Sequence, residues 1–194
     1  MLQLINFPHP TLRFQSKPII RVDASLREMI GQMFDIMYEN RGVGLAANQV
    51  NLPLRLFIAN PTGEKGNGEE LVFLNPVIRR STGSTESEEG CLSLPGIHAA
   101  VKRNKSLHVK AYSLEGREID MQVDGFLARI IQHEIDHLDG VLFIDRVSPE
   151  TQRVLLDELS GFVSTHDSKQ RQGMIPSDEQ LSEQREEWLN RYCR

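Results

Sequence analysis

The apolar positions between residues 23 and 40 recur with the period of an α-helix. Six of them fall at i, i+3, i+4, i+7, i+8 and i+11, namely Leu26, Met29, Ile30, Met33, Phe34 and Met37. This spacing predicts a helix from about Asp23 to Asn40 whose apolar face packs into the core. Ser25 and Glu28 have the spacing of a capping box, and Gly42 is expected to end the helix.

Shorter apolar runs rich in β-branched residues follow this helix. Arg55 to Ala59 and Leu71 to Ile78 fit two strands on either side of a polar loop. Leu107 to Ser113 and Glu118 to Val123 fit a hairpin around a short turn that contains a glycine. The polar stretch from Ser81 to Glu89 lies between the two pairs and is assigned to no strand.

A second helical pattern begins after Asp124, a candidate cap, and ends before Gly140. Within it, His133 and His137 are four residues apart, so both imidazoles lie on one face of the helix. Glu134 stands beside them as a candidate general base. Two histidines and a carboxylate in this order are typical of a helix that holds a hydrolytic metal ion.

The last part of the chain alternates helical and polar segments. A helix from Ser148 to about Val163 is expected, followed by a polar stretch from Thr165 to Ser177. Ser177 can cap a last helix with apolar residues near helical spacing. These are Leu181, Trp188, Leu189 and Tyr192. We therefore predict a main domain over residues 1–164 and an extension over 165–194, a polar linker with an amphipathic helix that can dock on the body, a second subunit or a partner.

The composition is that of an ordinary globular chain, since 39% of the 194 residues are hydrophobic and 25% are charged. A net charge of −5 and a pI near 5.7 offer no basic surface, so no direct DNA binding is expected. No apolar run is long enough to span a membrane, and residues 1–4 lack the charged start of an export signal. These features favour a cytoplasmic protein in which Cys91 and Cys193 stay unpaired.

A catalytic metal normally has a third protein ligand, and three positions in this sequence are candidates for it. A histidine six residues after His137 would extend one known motif, but Phe143 occupies that position. Glu158 lies a few turns downstream and can act as it would in a zinc endopeptidase, although its segment also fits an ordinary amphipathic helix. Cys91 is the third source, because a thiolate is a strong ligand, and its alternative is a small buried apolar side chain.

Three segments resemble the signature motifs of peptide deformylases, in the same order and at similar separations. They are Gly42 to Gln49 (GVGLAANQ), Glu89 to Ser93 (EGCLS) and Gln132 to His137 (QHEIDH). The resemblance covers about Leu4 to Ser148. Because independent matches multiply, three motifs in order are far more specific than the histidine pair alone.

This resemblance implies a metal-dependent hydrolase that removes the formyl group from the initiator methionine of nascent polypeptides and releases formate. The metal ligands that it implies are Cys91, His133 and His137. Glu134 would move the proton between the attacking water and the leaving amine. The side-chain amide of Gln49 and the backbone N–H of Leu92 would stabilise the oxyanion.

Substrate recognition is expected around the same helix. Phe126 and Ile130 precede the histidines on its surface and can line an apolar pocket for methionine, although core packing explains both residues equally well. Gly44 is implied by the resemblance to bind the substrate backbone. Arg129 is expected to reach solvent with its aliphatic stem packed against the protein.

The resemblance also implies one divalent metal ion, Fe²⁺ in the cell, although a Cys/His/His set equally suits Zn²⁺, Ni²⁺ or Co²⁺. Each ligand histidine needs an acceptor for its second ring N–H. The unranked candidates are Glu39, Glu89 and Asp136. Besides the formylmethionyl peptide substrate, the ribosome is a candidate partner, and the C-terminal region is where such a contact would be sought.

The chain as a whole is expected to have an α+β fold. Antiparallel strands would pack around a central metal-binding helix, with the N-terminal and C-terminal helices outside. Two other functions stay open beside deformylation. One is a zinc endopeptidase of the HExxH type with Glu158 as third ligand, and the other is a non-catalytic metal-containing binding protein.

Overall fold

The computed structural model describes residues 1–194 and contains four α-helices and seven β-strands. The helices are α1 (Ala24–Glu39), α2 (Gly125–Leu138), α3 (Pro149–Arg171) and α4 (Asp178–Tyr192). The strands are β1 (Gly44–Ala46), β2 (Leu56–Ala59), β3 (Leu71–Thr82), β4 (Thr85–Cys91), β5 (Leu94–Arg103), β6 (Ser106–Tyr112) and β7 (Glu118–Asp124). All strand pairs are antiparallel, which confirms the expected α+β class.

The helix with the histidine pair lies between two sheets. Five strands form one sheet in the order β1–β2–β3–β6–β7, and β4 with β5 forms a separate hairpin. β6 and β7 pair along their whole length, so the predicted hairpin is confirmed. α2 packs on the larger sheet through Ala128, Ile131 and Ile135, which share a core with Phe57 and Phe73. Its side chains Arg129, His133 and Asp136 contact the β4–β5 hairpin, so α2 is central, as expected.

The ends of α1 differ in detail from the sequence prediction. All six apolar residues of its predicted face are buried. However, the cap is Asp23, whose Oδ1 accepts a hydrogen bond from the N–H of Leu26 at 2.9 Å, so the capping box at residues 25 and 28 is wrong. Arg41, with φ +58°, adopts the left-handed conformation after the helix. Gly42 is needed for space instead, since a Cβ there would lie 2.8 Å from Leu92 Cδ1.

The β4–β5 hairpin is the main element that the sequence pattern did not predict. The polar stretch from Ser81 to Glu89 forms the end of β3 and most of β4. β4 is mostly exposed, and its pairing with β5 from Thr85 to Gly90 holds it in place. β5 alternates between buried and exposed positions, a signal of period two that identifies a half-buried strand. Its buried residues are Leu94, Ile97, Ala99, Val101 and Arg103.

The C-terminal helices extend and close the domain. α3 continues to Arg171, beyond the expected end at Val163, so the expected linker is helical over much of its length. It crosses residue 164 without a break, and the division of the chain at that point stays a prediction. Ser177 caps α4 through a hydrogen bond from the N–H of Gln180 at 3.3 Å. α4 docks on the body of the same chain and buries Leu181, Leu189 and Tyr192. None of the four helices has the length and apolar content needed to cross a membrane.

Candidate metal centre

The fold brings the three candidate metal-binding side chains together at the junction of the hairpin and the central helix. Cys91 is the last residue of β4, and His133 and His137 lie one turn apart on α2. One ligand atom from each lies within 4.8 Å of the other two. The Cys91 Sγ to His137 Nε2 distance is 3.2 Å. A thiolate with two imidazoles at this spacing fits a divalent transition metal, with a further position open to water or substrate.

The orientation of His133 is set by Glu89. His133 Nδ1 lies 3.0 Å from Glu89 Oε2, so its Nε2 is the atom left for a metal ion. Of the three candidate acceptors, only Glu89 contacts a ligand histidine. Glu39 is exposed, and Asp136 accepts hydrogen bonds from Arg103 and Arg146 instead.

The guanidinium of Arg129 is buried, so the prediction that it reaches solvent is wrong. The residue is only 8% exposed, and its Nη1 donates to Glu89 Oε1 at 2.6 Å. It also donates to the backbone oxygens of Val101 and Thr85, which lie on the two strands of the hairpin. A buried guanidinium is stable here because carboxylate and carbonyl groups occupy its donors. Arg129 thus ties α2 to both strands.

Arg103 belongs to the same buried network and was missed in the sequence. Its guanidinium donates to Glu89 at 3.0 and 2.9 Å and also to Asp136. Three guanidinium groups thus pair with two carboxylates. They are those of Arg103, Arg129 and Arg146, and the carboxylates are Glu89 and Asp136. Burial raises the pKa of Glu89, but the hydrogen bonds and charges of His133 and Arg103 outweigh it and hold that pKa well below its usual range. The inward position of Arg103 on the alternating strand β5 is the sequence signal that could have revealed it.

His137 has different surroundings. It is 1% exposed, and burial lowers its pKa well below the usual value for histidine. Its Nδ1 is buried and has no hydrogen-bond partner, while its backbone oxygen accepts a hydrogen bond from Asn48 Nδ2. Phe143, which stands where another metalloprotease motif has histidine, packs instead against the ring of His133 at a centroid distance of 6.3 Å.

Glu134 is buried beside the ligands and against Gly44. The residue is 3% exposed, and burial raises its pKa to about 7, although the charge of His133 opposes the shift. A Cβ on Gly44 would lie 2.5 Å from Glu134 Oε1 and 2.9 Å from Ile130 Cγ2. Only glycine therefore leaves room for this carboxyl group. Glu134 Oε2 is buried without a hydrogen-bond partner, so it is available to a small molecule at the centre.

The two expected oxyanion donors, Gln49 and Leu92, lie beside Cys91. Gln49 Oε1 accepts from the N–H of Ala46 at 2.8 Å, which orients Nε2 toward Cys91 Sγ at 3.5 Å. Nε2 also donates to Ser93 Oγ at 3.2 Å, a contact that sequence reasoning missed. Leu92 directly follows β4. Among the backbone hydrogen bonds of the turns and loops, none is donated by the N–H of Leu92.

These groups open into a cavity of about 520 Å³. Gly44, Gln49, Leu92 and Glu134 line it together with the candidate ligands Cys91 and His133. Ile130 lines it from a buried position, whereas Phe126 is 55% exposed and lies at the rim. Both side chains can therefore contact a bound molecule. Glu158, the alternative third ligand, is exposed and lines a different groove between α3 and the N-terminal segment.

The model of the polypeptide deformylase family matches residues 1–153. The chain belongs to the polypeptide deformylase family. It is 51% identical to a peptide deformylase of Rhodopirellula baltica over 191 residues, which make up 98% of this chain and 95% of that relative. Family membership confirms the resemblance found in the three motifs and identifies the enzyme as a peptide deformylase.

Two plant deformylases extend the comparison. A solved plant peptide deformylase matches with a TM-score of 0.84 at 38% identity, covering 91% of this chain and 95% of that one. A chloroplastic peptide deformylase 1B of Solanum lycopersicum is 42% identical over 159 residues, which are 81% of this chain and 57% of that relative. The shared fold supports the α+β architecture with helices at both ends.

Proposed function

We propose that this deformylase hydrolyses the formyl amide of formyl-methionyl polypeptides at the centre formed by Cys91, His133 and His137, and releases formate. The observation that carries the proposal is the convergence of three ligand atoms, a buried carboxyl group and an oriented amide on one cavity. A bound divalent ion supplies Lewis acidity, which allows a water molecule to lose a proton near neutral pH.

Glu134 is the proton carrier in this proposal. Its carboxyl group is buried beside the ligands, and a pKa raised toward neutrality suits a group that must both accept and release a proton. It takes a proton from the attacking water and delivers it to the nitrogen of the leaving amine. Gly44 supports this role by leaving space for the carboxyl group, in addition to any contact with the substrate backbone.

Gln49 and Leu92 are the proposed oxyanion donors. As water adds to the formyl carbon, its oxygen becomes negatively charged and needs hydrogen-bond donors that are already in position. Gln49 Nε2 and the N–H of Leu92 both lie at the cavity beside Cys91. Ile130 and Phe126 would contact the methionine side chain, one from the wall and one from the rim.

Fe²⁺ is the proposed metal in the cell, with Zn²⁺, Ni²⁺ and Co²⁺ as substitutes that the same donors accept. The thiolate of Cys91 beside a redox-active ion would make the enzyme sensitive to air. Analysis of the metal in protein purified without oxygen, followed by replacement with each ion, tests this assignment. Zinc alone supporting full activity in the purified protein would contradict it.

The deciding experiment is an anaerobic assay of formate release from a formyl-Met tripeptide after Fe²⁺ is restored. Glu134→Gln should retain the metal and lose about 1,000-fold in kcat, because proton transfer is lost while the ligands remain. Glu158→Gln is the matched control and should change neither metal content nor kcat. Metal loss in Glu158→Gln, or formate release undiminished in Glu134→Gln, would contradict the proposal.

A contact with the ribosome in the cytoplasm is a further part of the proposal. α4 is packed on the body, so the exposed second half of α3 is the better candidate surface, and it ends in Lys169 and Arg171. Basic side chains favour RNA phosphates. Reversing both charges should weaken co-sedimentation with ribosomes at low salt, with formate release from free peptide unchanged. Equal co-sedimentation of both proteins would argue against this surface.

A further inference from the structure

The side-chain amide of Gln49 is held at both ends. Its oxygen accepts a hydrogen bond from the N–H of Ala46 at 2.8 Å, and its nitrogen donates to Ser93 Oγ at 3.2 Å. A primary amide has two N–H groups that point in different directions. Since one N–H is directed to Ser93, the other is directed toward Cys91 Sγ, 3.5 Å from the nitrogen.

Ser93 is itself fixed in place. The residue is fully buried, and its backbone oxygen accepts from the N–H of Phe7 at 2.9 Å. The backbone oxygen of Gln49 accepts from the N–H of Ile5, also at 2.9 Å. The same N-terminal segment therefore binds both residues, so the Ser93 hydroxyl and the Gln49 amide are kept at a constant separation.

We propose that Ser93 is a positioning residue that aims the oxyanion donor. Its hydroxyl oxygen occupies one N–H of Gln49, so the second N–H points to the Cys91 side of the cavity, where the formyl carbonyl would bind. The inference rests on the proposed oxyanion role of Gln49. Donors stabilise a developing charge most when their direction is set before the reaction, because no reorganisation is then needed. Ser93 does not touch the substrate and acts only through the amide.

A kinetic double-mutant cycle tests the proposal in the metal-loaded enzyme. Ser93→Ala should lower kcat about 10-fold, less than the roughly 100-fold loss expected for Gln49→Ala, because the donor is misdirected and not removed. KM should stay within about two-fold, since the interaction strengthens only in the transition state. In the Gln49→Ala background, Ser93→Ala should cause no further loss, because the group that it positions is absent.

Ser16→Ala is the matched control. Ser16 is also buried, but its hydroxyl has no hydrogen-bond partner, so this variant measures the removal of a buried hydroxyl alone. Its kcat should equal that of the parent, and thermal unfolding of all variants shows whether they remain folded.

Three outcomes are distinct. Non-additive losses in kcat support the role of Ser93. Losses that multiply in the double variant, or an unchanged kcat in Ser93→Ala, overturn it while leaving the deformylase assignment intact. An unchanged kcat in Gln49→Ala overturns the oxyanion role of Gln49 and the positioning role of Ser93 together.

Discussion

Buried side chains hold both α2 and α4 in place, but those of α2 are partly polar or charged and those of α4 are mainly apolar. α2 buries five polar or charged side chains among its apolar ones, namely Arg129, Gln132, Glu134, Asp136 and His137. The buried residues of α4 are Leu181, Leu189 and Tyr192. The exposed surface of α4 is strongly charged, as expected of a helix that packs by one face.

α2 therefore carries residues proposed to act in catalysis, whereas α4 contributes mainly to stability. The side chains of Arg129 and Asp136 can be buried because they pair with groups on the β4–β5 hairpin, whereas Glu134, whose Oε2 has no partner, lines the cavity. α4 buries one polar group of this kind, the Tyr192 hydroxyl that contacts Asp23, and otherwise packs apolar surface against the core around α1. Substitutions near α2 should therefore impair activity first, whereas substitutions in α4 should lower stability and leave the chemistry of each folded molecule intact.

The two cysteines test this separation with the largest expected effect. Cys91 lies beside α2 and Cys193 directly follows α4, and both are free and partly exposed. Cys91→Ser should lower metal affinity at least about 100-fold, because even the loss of a residue that hydrogen-bonds to a ligand can cost that much. Activity should fall with the metal content. Cys193→Ser should keep both. Metal analysis after dialysis measures the difference, and similar metal loss in the two variants would break the comparison.

Tyr192 gives the next largest effect, on stability. Its side chain is fully buried, and its hydroxyl lies 3.0 Å from Asp23 Oδ1. Tyr192→Ala should lower the free energy of unfolding by about 3 kcal/mol and Tm by roughly 10 °C, because it leaves a cavity between α4 and α1. Its kcat should be unchanged well below Tm.

Tyr112→Ala is the control for that variant, since Tyr112 is 49% exposed and its removal should shift Tm only slightly. A drop in kcat for Tyr192→Ala at a temperature where it is fully folded would show that α4 also supports the metal centre.

The smallest expected effect concerns Asp23, which caps α1 and contacts Tyr192 of α4. The hydrogen bond from the N–H of Leu26, joined by those from Arg21, Tyr192 and Arg191, holds the pKa of Asp23 well below its usual range. Because the native pKa is lower than that of the unfolded chain, about 3.9, the stabilisation is present above that pH and is lost as pH falls through the native pKa. Asp23→Asn keeps a cap but has no charge to lose, so its Tm should fall less between about pH 5 and pH 3.

Asp35→Asn is a suitable reference, because Asp35 lies on the exposed side of the same helix and pairs only with Lys65. An acid-side decline in Tm that is identical in Asp23→Asn and the parent would show that this junction does not contribute to acid sensitivity.

Elements whose apolar positions recur regularly could be predicted from the sequence. The apolar face of α1 and the β6–β7 hairpin formed as expected, because burial of a regular apolar face determines them locally. β4 was not predictable in this way. Its three glutamates and one serine do not favour a strand, and the strand exists because β5 supplies a partner along its length.

The sequence by itself named the candidate metal-binding side chains. Helix geometry indicated the two histidines, because positions one turn apart share a face, and the resemblance of the three motifs implied Cys91. Only the tertiary structure decided which carboxylate orients His133, why Arg129 is buried and what aims the amide of Gln49. The first two depend on the β4–β5 hairpin meeting α2, where charges distant in sequence share a buried space and must satisfy one another. The third depends on the turn of the same hairpin, which places Ser93 within hydrogen-bonding distance of Gln49.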